Sequence, residues 1–384
     1  RTTVEAERGR VVSIRLFCER SVEIESAVDI VEECSELLQC VMANADYVLC
    51  TYCTDAGSQI QLKNIGSGKI TRIEGRRFSY LLCGDEIHPQ SGATIKRFLP
   101  SGEVDLMQID PKLIEIKNWK HSNPCQTKFT VEQHLVRCED ATDVPLTLCW
   151  FDDHVDLVSR PLLLHVYGGF GISLELGYNH FAAAWMRLGG LYAIAHVRGG
   201  GELGTSWHKA ASGNNKRRSI DDFLACGTYL KVNHYASRIA CWGASHGGFV
   251  VAAALNKLPD IFSAAIADVP VTDLLGLGAQ STGHETLAEY GLDEEQRALL
   301  SPLHNIKRES YPPILVITAD NDERVPPWHA FKYVAAHREL NPDNSIFLWR
   351  VENGGHAGPS SKAEQLEEDI IKLGFLRNYL MSHK

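Results

Sequence analysis

Hydrophobic residues in the second part of the chain come in short unbroken runs, each followed by a segment with helical periodicity. Apolar runs that do not alternate with polar residues are typical of strands buried on both faces of a parallel sheet. The predicted strands are 162–166, 192–196, 239–242, 263–269, 314–317 and 346–351. The predicted helices are 181–188, 220–232, 249–257, 328–340 and 364–379. This alternation predicts an α/β fold with a mainly parallel, doubly wound sheet.

The first third has a different pattern, in which short strand-like runs are separated by Gly, Asp and Ser turns. The predicted strands here are 47–52, 58–63, 69–74 and 78–83. Such spacing is typical of the antiparallel strands of a sandwich or of propeller blades. Strands at 126–136 and 147–153 open the next region. We therefore predict an all-β domain over residues 1–122 and an α/β domain over residues 123–384.

Composition and charge narrow the class of protein. The chain has 384 residues, 44% of them hydrophobic and 22% charged, which suits a globular protein of two domains. The net charge of −10 argues against nucleic acid or an anionic membrane surface as a partner. No apolar run approaches the roughly 20 residues that span a bilayer, so we predict no membrane partner. The 11 cysteines follow no disulfide spacing, which favours a reducing compartment and predicts a cytoplasmic location.

The pattern G-x-S-x-G occurs between the predicted strand 239–242 and helix 249–257, with Ser245 at its centre. A serine on such a sharp turn has its hydroxyl lifted clear of the sheet, and small residues two before and two after it let strand and helix approach. The following helix directs its N-terminal N–H groups at the same place, where an oxyanion would form. The alternative interpretation is a glycine-rich turn without chemistry.

An activated serine needs a base and a group that orients the base. In the α/β-hydrolase order both follow the serine, first the acid and then the histidine, each on a loop after a strand. The loop after strand 314–317 offers Asp320 and Asp322, and the loop after strand 346–351 offers His356 between glycines. His284 and His329 are weaker candidates because they lie in helix-like segments.

Five motifs occur in order along the chain: Tyr167-Gly168-Gly169-Phe170, the segment 196–210, the turn 243–248, the segment 322–326 and Gly355-His356. Together they resemble the prolyl oligopeptidase family of serine peptidases. The resemblance covers the C-terminal two thirds, and the first third resembles the last blades of the family's β-propeller. It therefore implies a partial β-propeller over 1–122 and an α/β-hydrolase domain over 123–384.

By this resemblance Ser245 is the nucleophile, His356 the general base and then acid, and Asp322 the orienting carboxylate. Asp322 is preferred over Asp320 because the family's acid stands two residues before the arginine that is Arg324 here. Asp320 alternatively satisfies backbone N–H groups in a turn.

The resemblance also implies an oxyanion hole formed by the backbone N–H of His246 and the hydroxyl of Tyr167. The alternative for Tyr167 is an aromatic side chain packed at a strand end. Arg324 would donate to a substrate carbonyl, although an arginine beside two carboxylates could also be ion-paired. The residues that match the family's apolar first-subsite pocket are Phe170, Val271, Tyr290 and Val325.

Two positions depart from the family pattern. Thr286 replaces the indole that stacks on the substrate proline, which would remove about 1 kcal/mol of selective binding. His246 replaces the asparagine common after the nucleophile, but its backbone N–H is retained. We therefore expect cleavage after proline that is less exclusive than in the family.

Length is the third departure, because the first 122 residues hold material for two blades and a propeller ring needs more. We expect the chain to be a piece of a longer protein, and the alternative is a protein without the gate that confines the family to short peptides. A truncated set of blades would expose strand edges and lower the solubility.

The predicted function is a serine-type endopeptidase or oligopeptidase that hydrolyses short peptides, preferentially after proline, as a monomer. The alternatives are a broader-specificity oligopeptidase, a carboxylesterase or a catalytically weak scaffold. No cofactor is predicted, because the glycine run 199–201 lacks the Lys-Ser/Thr of a phosphate-binding loop and no H-E-x-x-H motif occurs.

Overall fold

The structure is a computed structural model, and it describes residues 6–13, 28–54, 57–73, 79–88, 92–102, 104–110, 115–120, 128–152, 160–279, 283–291 and 293–381. The chain divides into two compact units. The first comprises 1–126, 175–179 and 202–206, and the second comprises 127–174, 180–201 and 207–384. The predicted boundary at residues 122 and 123 stays a prediction, because it lies outside the described residues.

The described residues of the first unit contain a separate antiparallel pair of strands and two antiparallel meanders of four strands each. The pair is β1 (Val11–Ser13) and β2 (Val28–Val31). The first meander is β3 (Leu37–Ala43), β4 (Tyr47–Thr54), β5 (Gly57–Asn64) and β6 (Ile70–Ile73), and the second is β7 (Ser79–His88), β8 (Gly92–Phe98), β9 (Val104–Asp110) and β10 (Glu115–Lys120). The sheet order β10-β9-β8-β7-β3-β4-β5-β6 places the two meanders side by side, joined where β3 runs parallel to β7. The predicted antiparallel strands of this region are confirmed.

Apolar side chains at alternate strand positions form the cores of this unit. Met42, Leu49, Ile60 and Ile95 belong to one buried cluster. Along β4, Leu49 belongs to this cluster whereas Val48 and Cys50 belong to a second one. The two sets lie on opposite faces, because successive side chains of a strand point to opposite sides.

The second unit is built on one mixed sheet. Its strands are β11 (Phe129–Arg137), β12 (Asp143–Phe151), β13 (Leu162–Val166), β14 (Leu191–Ala195), β15 (Ile239–Ala244), β16 (Ala264–Asp268), β17 (Ile314–Ala319) and β18 (Ile346–Val351). The order is β11-β12-β14-β13-β15-β16-β17-β18, antiparallel from β11 to β14 and parallel thereafter. Every residue of β14 and β17 is buried, so the sheet is covered on both faces, as the apolar runs predicted.

Helices cover the two faces of this sheet. They are α1 (His180–Arg187), α2 (Thr205–Lys209), α3 (Arg217–Val232), α4 (His246–Lys257), α5 (Gly283–Tyr290), α6 (Glu294–Leu300), α7 (Trp328–Leu340) and α8 (Lys362–Leu376). Helix α1 packs against α8, and α3 packs against α4. The predicted α/β-hydrolase architecture is confirmed. Within the described residues, no helix is both long and apolar enough to cross a membrane.

Candidate active site

The turn between β15 and α4 places Ser245 in a strained conformation, with φ 56° and ψ −115°. Glycines on either side make the turn possible. A Cβ on Gly243 would lie 2.3 Å from the carbonyl oxygen of Gly247, and a Cβ on Gly247 would lie 2.3 Å from that of Val166. Real Cβ atoms do not approach backbone so closely, so the pattern G-x-S-x-G is a steric requirement here.

The backbone of Ser245 is held at both its polar groups. Its N–H donates to the carbonyl of Asp268 at 2.8 Å, and its carbonyl accepts from the N–H of Phe249 at 3.2 Å. The first bond ties the serine to the carboxyl end of β16, and the second belongs to the first turn of α4. The hydroxyl is therefore fixed at the edge of the sheet where ligands of open α/β sheets bind.

His356 lies on the loop after β18 and reaches the serine. Its Nε2 is 3.0 Å from Ser245 Oγ, although 111 residues separate the two in sequence. Its Nδ1 is 2.8 Å from Oδ2 and 3.0 Å from Oδ1 of Asp322, on the loop after β17. These distances allow one proton path from serine to histidine, with the carboxylate behind the ring.

The structure brings Asp322, and not Asp320, to the histidine. Oδ1 of Asp322 also accepts from the backbone N–H groups of Arg324 at 3.0 Å and Val325 at 2.8 Å. Asp320 instead forms an ion pair with Arg350 at 3.3 Å. Arg324 itself is exposed, and within the described residues its guanidinium forms no ion pair with a carboxylate. The guanidinium is therefore available to a ligand.

Two groups beside Ser245 in sequence or in space are the predicted donors to an oxyanion. Tyr167 follows β13, and the Ser245 side chain is close enough to its hydroxyl to lower the pKa of the phenol. Burial and the nearby Glu289 carboxylate raise the pKa of Tyr167, so the phenol stays protonated and can donate. The backbone N–H of His246 belongs to the first turn of α4, where N–H groups have no carbonyl partner within the helix.

The predicted pocket residues differ in how much of their surface is accessible. Phe170 is 40% exposed, whereas Val271 and Val325 are buried. Tyr290 is fully buried, so it supports Phe170 from behind at a ring distance of 6.4 Å and offers no surface of its own. Thr286 is half-buried on α5.

The side chain of His246 has a structural role that sequence reasoning missed. It is fully buried among the rings of Tyr167, Phe170, Phe249 and Tyr290, and its Nδ1 lies 2.8 Å from the Tyr290 hydroxyl. Burial and the positive charge of Lys216 hold its pKa well below the usual range, so the ring is neutral. The His246 ring therefore packs between Tyr167 and the pocket residues Phe170 and Tyr290.

A buried ion pair of Glu289 and Lys216 was also missed. The Nε2 atom of His208, which is 29% exposed, lies 2.8 Å from Glu289, and no spacing motif marks these three residues. The only signal was the position of Glu289 directly before Tyr290. A separate cavity of about 650 Å³ lies against α3 and the β11–β12 turn, and none of the predicted site residues lines it. Among the described residues, no three His, Cys, Asp or Glu side chains are grouped as metal ligands would be.

The chain is similar to known proteins over most of its length. The family model described as "Prolyl oligopeptidase family" matches residues 177–383. A prolyl endopeptidase of Elizabethkingia miricola is 31% identical over 373 residues, covering 91% of this chain and 51% of that protein. A prolyl endopeptidase of Elizabethkingia meningoseptica is 29% identical over 396 residues, covering 97% of this chain and 54% of that protein.

A solved structure supports the same assignment of the fold. It comes from a structural and mechanistic analysis of two prolyl endopeptidases, and it matches with a TM-score of 0.89 at 27% identity. The match covers 99% of this chain and 58% of that one. The chain spans about half the length of the curated relatives it matches.

Proposed function

The chain belongs to the prolyl oligopeptidase family, and on that basis we propose that it is a serine-type endopeptidase that hydrolyses short peptides preferentially after proline. The observation that carries the proposal is the hydrogen-bonded series Ser245, His356 and Asp322, with 3.0 Å between Oγ and Nε2 and 2.8 Å between Nδ1 and Oδ2. A serine, an imidazole and a buried carboxylate in this order form a nucleophile, its base and the group that orients the base.

In the acylation step, Ser245 Oγ attacks the scissile carbonyl carbon while its proton passes to His356 Nε2. The carbon–oxygen bond that forms makes the carbonyl oxygen an oxyanion. Asp322 keeps the second imidazole proton on Nδ1 and stabilises the imidazolium. When the carbon–nitrogen bond breaks, His356 returns its proton to the departing amine, and the N-terminal part of the substrate remains as an ester on Ser245.

The oxyanion is stabilised by the Tyr167 hydroxyl and the backbone N–H of His246. Donors held in place before the reaction stabilise the charge without reorganising, and one such donor contributes about 10²- to 10³-fold in kcat. In the deacylation step, His356 takes a proton from water, the hydroxide oxygen bonds to the acyl carbon, and Ser245 leaves with the proton restored.

Substrate recognition is assigned to Arg324 and the apolar pocket. The guanidinium of Arg324 is exposed on the loop that carries Asp322, so it can donate to a peptide carbonyl near the scissile bond. Phe170, Val271 and Val325 form a small apolar subsite for the proline ring, with Tyr290 behind Phe170. An ester substrate has fewer peptide carbonyls for Arg324 to bind, which favours a peptidase over a carboxylesterase.

The test is hydrolysis of a blocked Gly-Pro fluorogenic substrate by the protein and by its Ser245→Ala variant. We expect turnover by the protein and a loss of about 10⁴-fold or more in the variant. Ser345→Ala is the matched control, because Ser345 is an exposed serine before β18. Undiminished turnover by a folded Ser245→Ala variant refutes the assignment of the nucleophile.

Thr286 favours a second candidate, an oligopeptidase of broader specificity, because no indole stands at that position. Comparing kcat/KM for matched Pro and Ala substrates separates the two, since equal values favour the broader enzyme. A catalytically weak scaffold would not react with a fluorophosphonate at Ser245. A monomeric state and a cytoplasmic location stay predictions, checked by the molar mass in solution and by fractionation of cells.

A further inference from the structure

A buried carboxylate, that of Glu289, accepts a hydrogen bond from the backbone of the exposed Phe170. The Glu289 side chain is 4% exposed. Its Oε1 accepts from the backbone N–H of Phe170 at 3.0 Å and from Lys216 Nζ, and its Oε2 lies 2.8 Å from His208 Nε2. The Lys216 side chain has no solvent exposure, so Glu289 is the counter-charge of a fully buried ammonium. The carboxylate is therefore fixed from three directions.

The backbone of Phe170 depends on such a partner. Its φ of 53° lies in the left-handed region, which residues with a Cβ rarely adopt. The hydrogen bond to Glu289 spans 119 residues of sequence and fastens the loop after β13 to α5. A strained segment persists only where its surroundings hold it, and here a charge-assisted hydrogen bond does so.

The same carboxylate is adjacent to the second aromatic residue of the pocket. Tyr290 follows Glu289 directly at the end of α5, and its ring stands edge-on to Phe170 at 6.4 Å. The Tyr290 hydroxyl lies 2.8 Å from Nδ1 of the buried His246. Glu289 is thus the point at which the position of Phe170 and that of Tyr290 are set relative to each other.

We propose that Glu289 is a specificity-determining positioning residue, which fixes the Phe170 wall of the pocket through its hydrogen bond to the Phe170 N–H. This inference rests on the proposed peptidase function. With Thr286 in place of an indole, selection of a proline ring relies on the shape of the pocket. A wall that is held in place before binding discriminates by shape, because the substrate does not have to order it.

Two double variants separate the hydrogen bond from the buried charge. Lys216→Met with Glu289→Gln removes both charges and retains an acceptor for the Phe170 N–H. Lys216→Met with Glu289→Leu removes both charges and the acceptor, at similar side-chain volume. Replacing both members of a buried ion pair is often neutral for stability, whereas removing one member is costly. Glu289→Asp is a further variant, because it keeps the charge but draws the carboxylate away from Phe170.

The measurements are the ratio of kcat/KM for matched Pro and Ala substrates and the rate of labelling by a small alkyl fluorophosphonate. We expect the Leu double variant and Glu289→Asp to lower the Pro/Ala ratio about threefold or more, through a raised KM for the Pro substrate. We expect the Gln double variant to keep the ratio within about twofold. Labelling should stay near the wild-type rate in all of them, because the alkyl probe does not use the pocket.

Asp222→Asn is the control for a merely structural role, since Asp222 is a buried carboxylate paired with Arg198. The proposal is overturned if the folded Leu double variant, or Glu289→Asp where the former does not fold, keeps the wild-type ratio. It is also overturned if Asp222→Asn lowers the ratio by the same factor.

The failure of the proposed function has a different signature. If the wild-type protein prefers another residue before the scissile bond, the proposed proline preference is wrong. The variants are then compared by the ratio of kcat/KM between the best and the worst substrate of the wild type. A wild type without turnover, or with equal kcat/KM for every substrate tested, overturns both proposals.

Discussion

The Asp322 carboxylate is held against His356 with both of its oxygens in reach of Nδ1, at 2.8 and 3.0 Å. Its side chain has no solvent exposure, and Oδ1 also accepts from the backbone N–H groups of Arg324 and Val325. A carboxylate fixed in this way holds the imidazole in one orientation and one tautomer. Asp320, two residues earlier on the same loop, is 34% exposed and pairs with Arg350 instead.

Substitution of the two aspartates is therefore expected to have very different effects on kcat. Asp322→Asn is expected to lower kcat by about 10³- to 10⁴-fold, because an amide that donates to Nδ1 stabilises the wrong tautomer of His356. Asp320→Asn is its matched control and should stay within about twofold of wild type. Steady-state kinetics on a peptide substrate measure both, and a large loss in Asp320→Asn alone would reverse the assignment.

Local sequence alone singles out Ser245 as the candidate nucleophile, but it does not select the acid. The pattern around Ser245 carries its own steric reason, since Gly243 and Gly247 are required by contacts within and beside the turn. The loop after β17 offered two aspartates, and spacing alone did not distinguish them. Only the resemblance selected Asp322, because the choice depends on how that loop folds against the loop after β18.

The contacts of Glu289 could not be predicted from the sequence, because they join residues that are far apart along the chain. Its partners Phe170 and Lys216 lie 119 and 73 residues away, so no periodicity or motif relates them. The strand β3, Leu37–Ala43, was also not predicted. Its residues are mostly apolar without clear alternation, and a short apolar run of that kind does not distinguish a strand from a buried helix.

Restoring an aromatic ring at position 286 tests the role of the pocket directly. Thr286→Trp is expected to raise the Pro/Ala ratio of kcat/KM about fivefold, because stacking on a proline ring contributes about 1 kcal/mol. Thr286→Val is the control, since it matches threonine in shape and adds no ring. A wild-type ratio that already equals that of the Trp variant would contradict the expected loss of selectivity.

The close approach at Gly247 predicts a large loss of stability on adding one methyl group. In Gly247→Ala the new Cβ would meet the Val166 carbonyl at 2.3 Å, so β13 or the Ser245 turn must shift, at a cost of about 2 kcal/mol or more. Gly374→Ala is the control, because nothing lies within 4 Å of its Cβ on the exposed side of α8. There the substitution should stabilise the protein by about 0.5–1 kcal/mol. Urea denaturation compares the two, and equal midpoints would contradict the steric argument.

His329 gives the protein an acid-sensitive contact near the pocket. Its Nδ1 accepts from the backbone N–H groups of Thr272 and Asp273 at 3.2 and 3.0 Å, which fastens the loop after β16 to α7. Burial lowers the pKa of His329 to about 4, with a further lowering from Lys332, against the opposing effects of Asp273 and Asp322. A proton on Nδ1 would remove the acceptor for both bonds.

The lowered pKa of His329 makes the free energy of unfolding depend on pH. The folded-state pKa of about 4 lies below the usual value of 6.5. Between these two pH values, His329 is therefore protonated in the unfolded chain and unprotonated in the folded protein. Stability should therefore fall as the pH drops from 7 towards 4, and this contribution amounts to about 3 kcal/mol at most. His329→Gln retains an acceptor but does not titrate. The difference in the free energy of unfolding between wild type and this variant should change by that amount between pH 8 and pH 4, as measured by urea denaturation. Parallel curves for the two proteins would contradict the prediction, because the other buried histidines are common to both.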